Sequence, residues 1–441
     1  MSEREFTLQY GKGQVSFKIP AGQLLYELKG NNRKPPADLS EAYLYALDHP
    51  IDTPPLREIV KPGDRVAVTV SDITRGWQKN ADTLPLLIDV LNETGVPDDH
   101  IKVIIAVGAH RQNTEEEFVE LCSKEVCHRV RVVNHDAWDT ENMVYLGKTS
   151  RGTEVSVNRI VAEADRVVCT GGVIYHFMVG YGGGRKSIMP GVCSFKTIQQ
   201  SHLWAMNAEV GKGSNPVSAN AITRGNPAHD DMMEVAAFVN PDFIVNVVPN
   251  LDGDICGIFT GNWVSAWLEA TRLVDDIFAV PIDEQADIVV ASAGGYPKDI
   301  NLYQTLKTID NVVYAMKPGG VCIILSECRD ITEPKEFFDW FGYPDNVEME
   351  KAVRANYLIS GWTAVRQVEY ADMGTIIMLT KPENNEFARR AAVQPVNSME
   401  AALKMAYEKC GSADPKITIM PHGANTFPVF SRNQTSSPSG N

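Results

Sequence analysis

Several things this sequence lacks narrow its chemistry early. It has no run of about 18 uninterrupted apolar residues, so no membrane-spanning helix is expected. The opening Met1-Ser2-Glu3-Arg4-Glu5-Phe6 has no apolar signal core, which predicts a cytoplasmic protein. The eight cysteines include no CxxC pair, and Cys169 and Cys322 lie inside apolar runs, as buried reduced thiols do. No H-E-x-x-H motif occurs. A metal site would therefore have to be assembled from distant segments or completed by a cofactor. Basic residues form no tract, and Lys plus Arg against Asp plus Glu gives 41 − 56 = −15. That balance excludes a general nucleic-acid binder and asks any anionic ligand to find a local positive pocket.

What is present reads as a soluble α/β protein. At 441 residues, with 44% hydrophobic and 22% charged, the chain is too long for one typical core, and two domains are expected. Alternating residues on either side of Gly11-Lys12-Gly13 predict an N-terminal hairpin, and a second is predicted at Val144–Val157. Short apolar runs predict buried strands at 65–70, 101–107, 130–133, 166–170 and 242–248, then 286–292, 320–325, 375–379 and 417–420. Helices are predicted at 39–47, 83–94, 263–277, 301–316, 334–340, 347–358 and 398–409. The alternation predicts two α/β domains, each with a largely parallel sheet flanked by helices. Residues 1–279 form the first, with a linker beginning near Val280-Pro281, and 280–430 the second; 431–441 reads as a disordered tail.

Polar residues gather where the predicted strands end. The run 65–70 leads into Ser71-Asp72-Ile73-Thr74-Arg75, at the kind of strand end where open α/β sheets place ligands. An aspartate there is also an ordinary turn cap, while Arg75 suits a carboxylate or phosphate held in a bidentate fork. The run 101–107 ends at Gly108-Ala109-His110-Arg111, ahead of a capping signature at Thr114–Glu117. The strand at 166–170 opens the densest stretch, Gly171 to His202. It holds His176, the glycine-rich turn Gly180-Tyr181-Gly182-Gly183-Gly184, the pair Arg185-Lys186, and His202. Glycines let backbone N–H groups approach an anion, and two cations add charge beside them. The P-loop pattern fails, because Arg185 stands where glycine must precede the lysine. Two histidines with near-neutral pKa would also serve as an acid/base pair on opposite faces of one substrate carbon.

These segments, together with Gly294-Gly295-Tyr296-Pro297-Lys298-Asp299 and Tyr303-Gln304-x-x-Lys307, resemble the nickel-dependent lactate racemase family over nearly the whole chain. The resemblance implies a racemase or epimerase inverting the Cα of a 2-hydroxyacid by hydride transfer, through a 2-keto acid. Its small-molecule partner would be lactate or a related 2-hydroxycarboxylate; the other partners implied are the proteins that make the cofactor. It implies a Ni(II)-pyridinium-3,5-bisthiocarboxylic acid mononucleotide, the nickel-pincer nucleotide, joined to Lys186 through a thioamide. His202 would be the protein's nickel ligand, in planar soft coordination that suits Ni(II). Asp72, Arg75, Gly182, Gly183 and Gly184 would hold the nucleotide, and His110 and His176 would be the acid/base pair. Arg75, Tyr303, Gln304 and Lys307 would meet the substrate, in a cleft between the domains. Trp362 matches a tryptophan packing over the site, and Trp77 stands where it would shape the pocket. Lys298 reads alternatively as a surface charge and Asp299 as a helix cap, while His128, His135, His229 and His422 read as structural or solvated. Two other readings are a cofactor-binding carrier without turnover, which would bind nickel without exchange at Cα, and a phosphate-binding enzyme using ATP.

Overall fold

The computed structural model describes residues 2–431. The expected tail, 431–441, thus lies outside the described residues apart from Ser431. Two compact units are present, each discontinuous in sequence. One comprises Asn32–Ala205 and Pro216–Ile277; the other comprises Met1–Asn31, Met206–Asn215 and Phe278–Asn441. The first 31 residues therefore share a unit with the C-terminal half rather than with their sequence neighbours.

The unit built on 32–277 is organised by a six-stranded sheet. Its strands are β1 (Val66–Ser71), β2 (Ile101–Ala106), β3 (Arg131–Asn134), β4 (Arg166–Gly172), β5 (Phe243–Pro249) and β6 (Ile255–Gly261). Their spatial order is β6-β5-β4-β1-β2-β3. All neighbours are parallel except the edge pair β5–β6. The apolar runs of β1, β2 and β5 are buried on both faces, which is why they read as continuous hydrophobic segments. Val68, Val70, Val103, Ile105, Val168 and Phe243 pack with Leu84, Leu87, Ile88 and Leu91 of the helix Asn80–Glu93. Each fully buried aliphatic side chain of this kind contributes about 1.5–3 kcal/mol. The order in which successive strands are laid down reverses between β1 and β4, the switch point at whose carboxyl ends ligands bind in open α/β sheets.

The second unit has a six-stranded, wholly parallel sheet in the order 394–396, 375–379, 316–325, 286–292, 417–420, 24–27. The N-terminal hairpin, Glu3–Tyr10 with Gly13–Pro20, packs Phe6, Leu8, Phe17 and Ile19 into the same core as Ile288, Val290 and Ile323. Val280-Pro281, expected to begin a linker, instead belongs to the strand Ala279–Ile282, paired in parallel with Phe427–Phe430. The helix Ile359–Met373 was not predicted; residues 360–367 are buried on every side, so it shows no amphipathic period. No described helix is long and apolar enough to cross a membrane.

Candidate active site

Adjacent strand ends assemble one side of the site. Just past β1, Asp72 caps the turn Ile73–Gln78, Oδ1 accepting from the Thr74 N–H at 2.9 Å and from the Thr74 hydroxyl. Its other oxygen, Oδ2, lies 2.5 Å from His110 Nδ1. The cap and the polar partner are thus one residue. Beyond β2, the Gly108 N–H donates to the Gly191 carbonyl at 3.0 Å. Gly108 has φ +58, and a Cβ there would press on Pro190. Asn113 ties the two strand ends together, its Oδ1 accepting from the Ile73 N–H at 3.1 Å. Burial alone would raise the Asp72 pKa. The His110 hydrogen bond and charge, the Thr74 hydroxyl and the Arg75 charge outweigh it and hold the carboxylate below its ordinary value. Arg75 is partly exposed, Nη1 donating to Thr74 Oγ1 at 2.9 Å.

The opposite side follows β4. Tyr175-His176 pairs antiparallel with Gly180-Tyr181, so the chain doubles back before the glycine turn instead of passing straight from strand to loop. The Met178 N–H donates to His176 Nδ1 at 3.3 Å, and His176 Nε2 lies 3.1 Å from Lys186 Nζ. A neutral imidazole that accepts at Nδ1 carries its proton on Nε2. Nε2–H then donates to the lysine nitrogen whenever that nitrogen is the unprotonated amine. Burial, with the charges of Arg185 and Arg75, lowers Lys186 to about 7, so the unprotonated amine becomes accessible near neutral pH. Burial and the charges of Lys186, Arg75, Arg185 and His202 hold His176 well below its ordinary value.

The glycine turn departs from expectation in two respects. Arg185 does not face a ligand: it is 1% exposed, stacks over Trp267 at 4.5 Å and donates from Nη2 to the Val179 carbonyl at 2.9 Å. Two glycine N–H groups are also spent within the protein, Gly182 on the Ile174 carbonyl and Gly184 on Asn246 Oδ1, both at 2.8 Å. Gly183 takes φ +67, and a Cβ there would run into Asn246 Oδ1. Packing thus explains this glycine without a ligand. Asn246, on β5, and Trp267, whose Nε1–H donates to the Gly182 carbonyl at 2.8 Å, were invisible in sequence as parts of the site. Both looked like ordinary members of a strand and a helix.

His202 ends the helix Phe195–His202, capped at its start by Ser194. It is buried, and Nδ1–H donates to the Ile198 carbonyl at 2.8 Å. Burial and the Lys186 charge lower it to about 4. A neutral imidazole whose Nδ1–H is anchored on a carbonyl presents Nε2 as a lone-pair donor, the arrangement metal-ligating histidines adopt. Among the described residues no three His, Cys, Asp or Glu side chains converge to hold a metal unaided. A metal on His202 needs donors from elsewhere.

Tyr303, Gln304 and Lys307 lie together on the helix Leu302–Ala315 of the other unit, where Lys307 Nζ donates to Gln304 Oε1 at 2.7 Å. Trp362, expected to pack over a site, is fully buried in the helix Ile359–Met373. Asp299 is not a helix cap; Asn301 is. Asp299 is buried, and its Oδ2 accepts from the N–H groups of Gly11 at 2.6 Å and Glu327 at 3.1 Å, pinning the N-terminal hairpin. Lys298 is exposed. His229 is buried and stacks on Trp267 at 5.5 Å, as a structural residue does.

These observations define an α/β protein of two units with histidines, a lysine and an aspartate–arginine turn at the carboxyl ends of a doubly wound sheet. The chain matches the lactate racemase N-terminal domain over residues 10–213 and the lactate racemase C-terminal domain over 282–427. It is 32% identical to the lactate racemase of Thermoanaerobacterium thermosaccharolyticum over 428 residues, covering 95% of this chain and 98% of that one. To the lactate racemase of Lactiplantibacillus plantarum it is 28% identical over 433 residues, covering 94% and 97%. The solved structure of the lactate racemase apoprotein from T. thermosaccharolyticum superposes with TM-score 0.88 at 30% identity, covering 97% of this chain and all of that one. A Thermotoga maritima protein shares the fold at TM-score 0.65 and 16% identity, covering 91% of this chain and all of that one. The chain belongs to the lactate racemase family.

Proposed function

We propose that this protein is an isomerase that interconverts the enantiomers of lactate, or of a related 2-hydroxycarboxylate, at Cα. The observation that carries the reading is the set Asp72–His110, His176–Lys186 and His202, gathered in one unit of a chain that belongs to this family. The residues fit the nickel-pincer nucleotide. Lys186 offers an amine with a lowered pKa for a covalent tether and His202 a neutral nitrogen for nickel, while no metal cage is built among the described residues. When bound, that group would supply a hydride acceptor for Cα, from which hydride can return to either face of the resulting 2-keto acid.

The protein's own residues then have defined tasks. A histidine beside the substrate hydroxyl takes its proton as Cα is oxidised and gives a proton back to the oxygen as Cα is reduced. With one histidine for each enantiomer, His110 and His176 divide this work. Arg75 offers a planar fork for the substrate carboxylate. Arg75 and the turn Gly182–Gly184 border the nucleotide. A soluble, cytoplasmic setting with cofactor-making proteins as partners completes the reading.

The test is an intact mass spectrum of the protein co-produced with the cofactor-making enzymes, with nickel analysis and Lys186→Ala as control. A mass increment on Lys186 with nickel is expected. An unmodified lysine despite working cofactor supply would overturn the reading, and an adduct with nickel but no turnover of either lactate enantiomer would leave a carrier.

A further inference from the structure

We infer that Asp72 is the positioning residue of His110, fixing its tautomer and ring orientation. The inference rests on the reading of His110 as one of the acid/base pair. Both Asp72 oxygens are committed, Oδ1 to the N–H and hydroxyl of Thr74 and Oδ2 to His110 Nδ1 at 2.5 Å. The Asp72 side chain is 7% exposed, while that of His110 is 50% exposed. A buried carboxylate therefore holds one ring nitrogen while the ring itself reaches solvent.

The sequence builds this arrangement from adjacent strands. Ser71 of β1 is paired with Ala106 of β2, so the segments that follow leave the sheet side by side. Asn113 and the left-handed Gly108 fix their paths. An ionised carboxylate only accepts hydrogen bonds, so Nδ1 must carry a proton and Nε2 the lone pair of the neutral ring. Nε2 is then the atom that takes the hydroxyl proton, and the carboxylate stabilises the imidazolium that forms. His–Asp pairs serve hydrolytic triads by the same logic.

The test compares wild type with Asp72→Asn, which preserves the turn cap because Asn also accepts from Thr74. Nitrogen-15 NMR of the apoprotein should show His110 with Nδ1–H and a bare Nε2 in wild type, and a mixture of tautomers in the variant, because an amide can pair with either. In the loaded enzyme, Asp72→Asn should keep the Lys186 adduct and nickel and leave KM near wild type. Its kcat should drop by roughly 10²–10⁴-fold, the share that acid–base catalysis carries. The double variant Asp72→Asn/His110→Gln should be no slower than His110→Gln alone, since the two act as a unit. An Nε2–H tautomer in wild type would overturn the inference. So would loss of adduct and nickel in Asp72→Asn with the His110 tautomer unchanged, which would make Asp72 a nucleotide ligand. If loaded wild type fails to racemise, the functional reading fails while the tautomer result still stands or falls alone.

Discussion

The two histidines expected to share one chemistry sit in opposite surroundings. His110, past β2, leans on a buried carboxylate and reaches solvent. His176, past β4, touches a lysine amine and feels cationic charge from Arg75, Arg185 and Lys186. The first sets the ring against an anion, and the second surrounds it with cations that penalise an added proton. A racemase must run in both directions, and such asymmetry need not favour one enantiomer, since the equilibrium is fixed by the substrates. What the asymmetry does offer is a second task for the His176 side: keeping Lys186 an unprotonated nucleophile before the cofactor arrives.

The largest effects should come from removing either histidine. His110→Gln and His176→Gln should each lower kcat by roughly 10²–10⁴-fold in loaded enzyme, measured from both lactate enantiomers. Only the second should also alter the apoprotein. Acylation of Lys186 by an amine-selective reagent, followed by peptide mass spectrometry, should be half-maximal near the value of about 7 to which burial lowers it. Above that pH the amine is free; below it the amine is protonated and unreactive. His176→Gln should shift this profile and His110→Gln should leave it in place. Identical profiles in both variants would erase the distinction between the two sides.

Next in size is the packing under the glycine turn. Gly183→Ala forces a side chain into left-handed backbone against Asn246 and should cost about 1–3 kcal/mol. Asn246→Ala leaves the buried Gly184 N–H without its acceptor and should also cost about 1–3 kcal/mol. Denaturant unfolding of the apoprotein reads both. A cost near zero would mean that the turn is not held from β5.

The last effect is a slope of stability against pH. His202 and His135 are held near 4 by burial. Both are neutral in the folded protein, while the unfolded chain binds their protons below about 6.5. Unfolding therefore takes up protons, and stability falls as pH drops from 6.5 to 4, by up to about 1.4 kcal/mol per pH unit for each ring. His202→Gln should remove about one proton from that uptake. An unchanged slope would show His202 already charged in the fold, which no metal ligand is.

Much of this was legible because a parallel sheet writes itself into sequence. Its strands are apolar runs, and its chemistry stands in the few residues after each, as Asp72, His110 and His176 do. Long-range contacts were not legible. Nothing local marks Asn246 as the acceptor for Gly184, or Trp267 as the surface on which Arg185 lies, so Arg185 read as a ligand-facing charge. Burial on all sides hid the helix Ile359–Met373, and the strand Leu24–Glu27 gains its partner only from residues nearly 400 positions away. The order of strands in each sheet, hence the switch point between β1 and β4, is a property of packing that no single segment carries.

The most direct test is to supply L-lactate to the loaded enzyme in deuterium oxide and to follow enantiomer and isotope together. The account predicts an equal mixture of D- and L-lactate that keeps protium at Cα, because hydride leaves and returns without meeting solvent. Deuterium appearing at Cα would contradict the hydride route, and L-lactate left unchanged by adduct-bearing protein would contradict the activity itself.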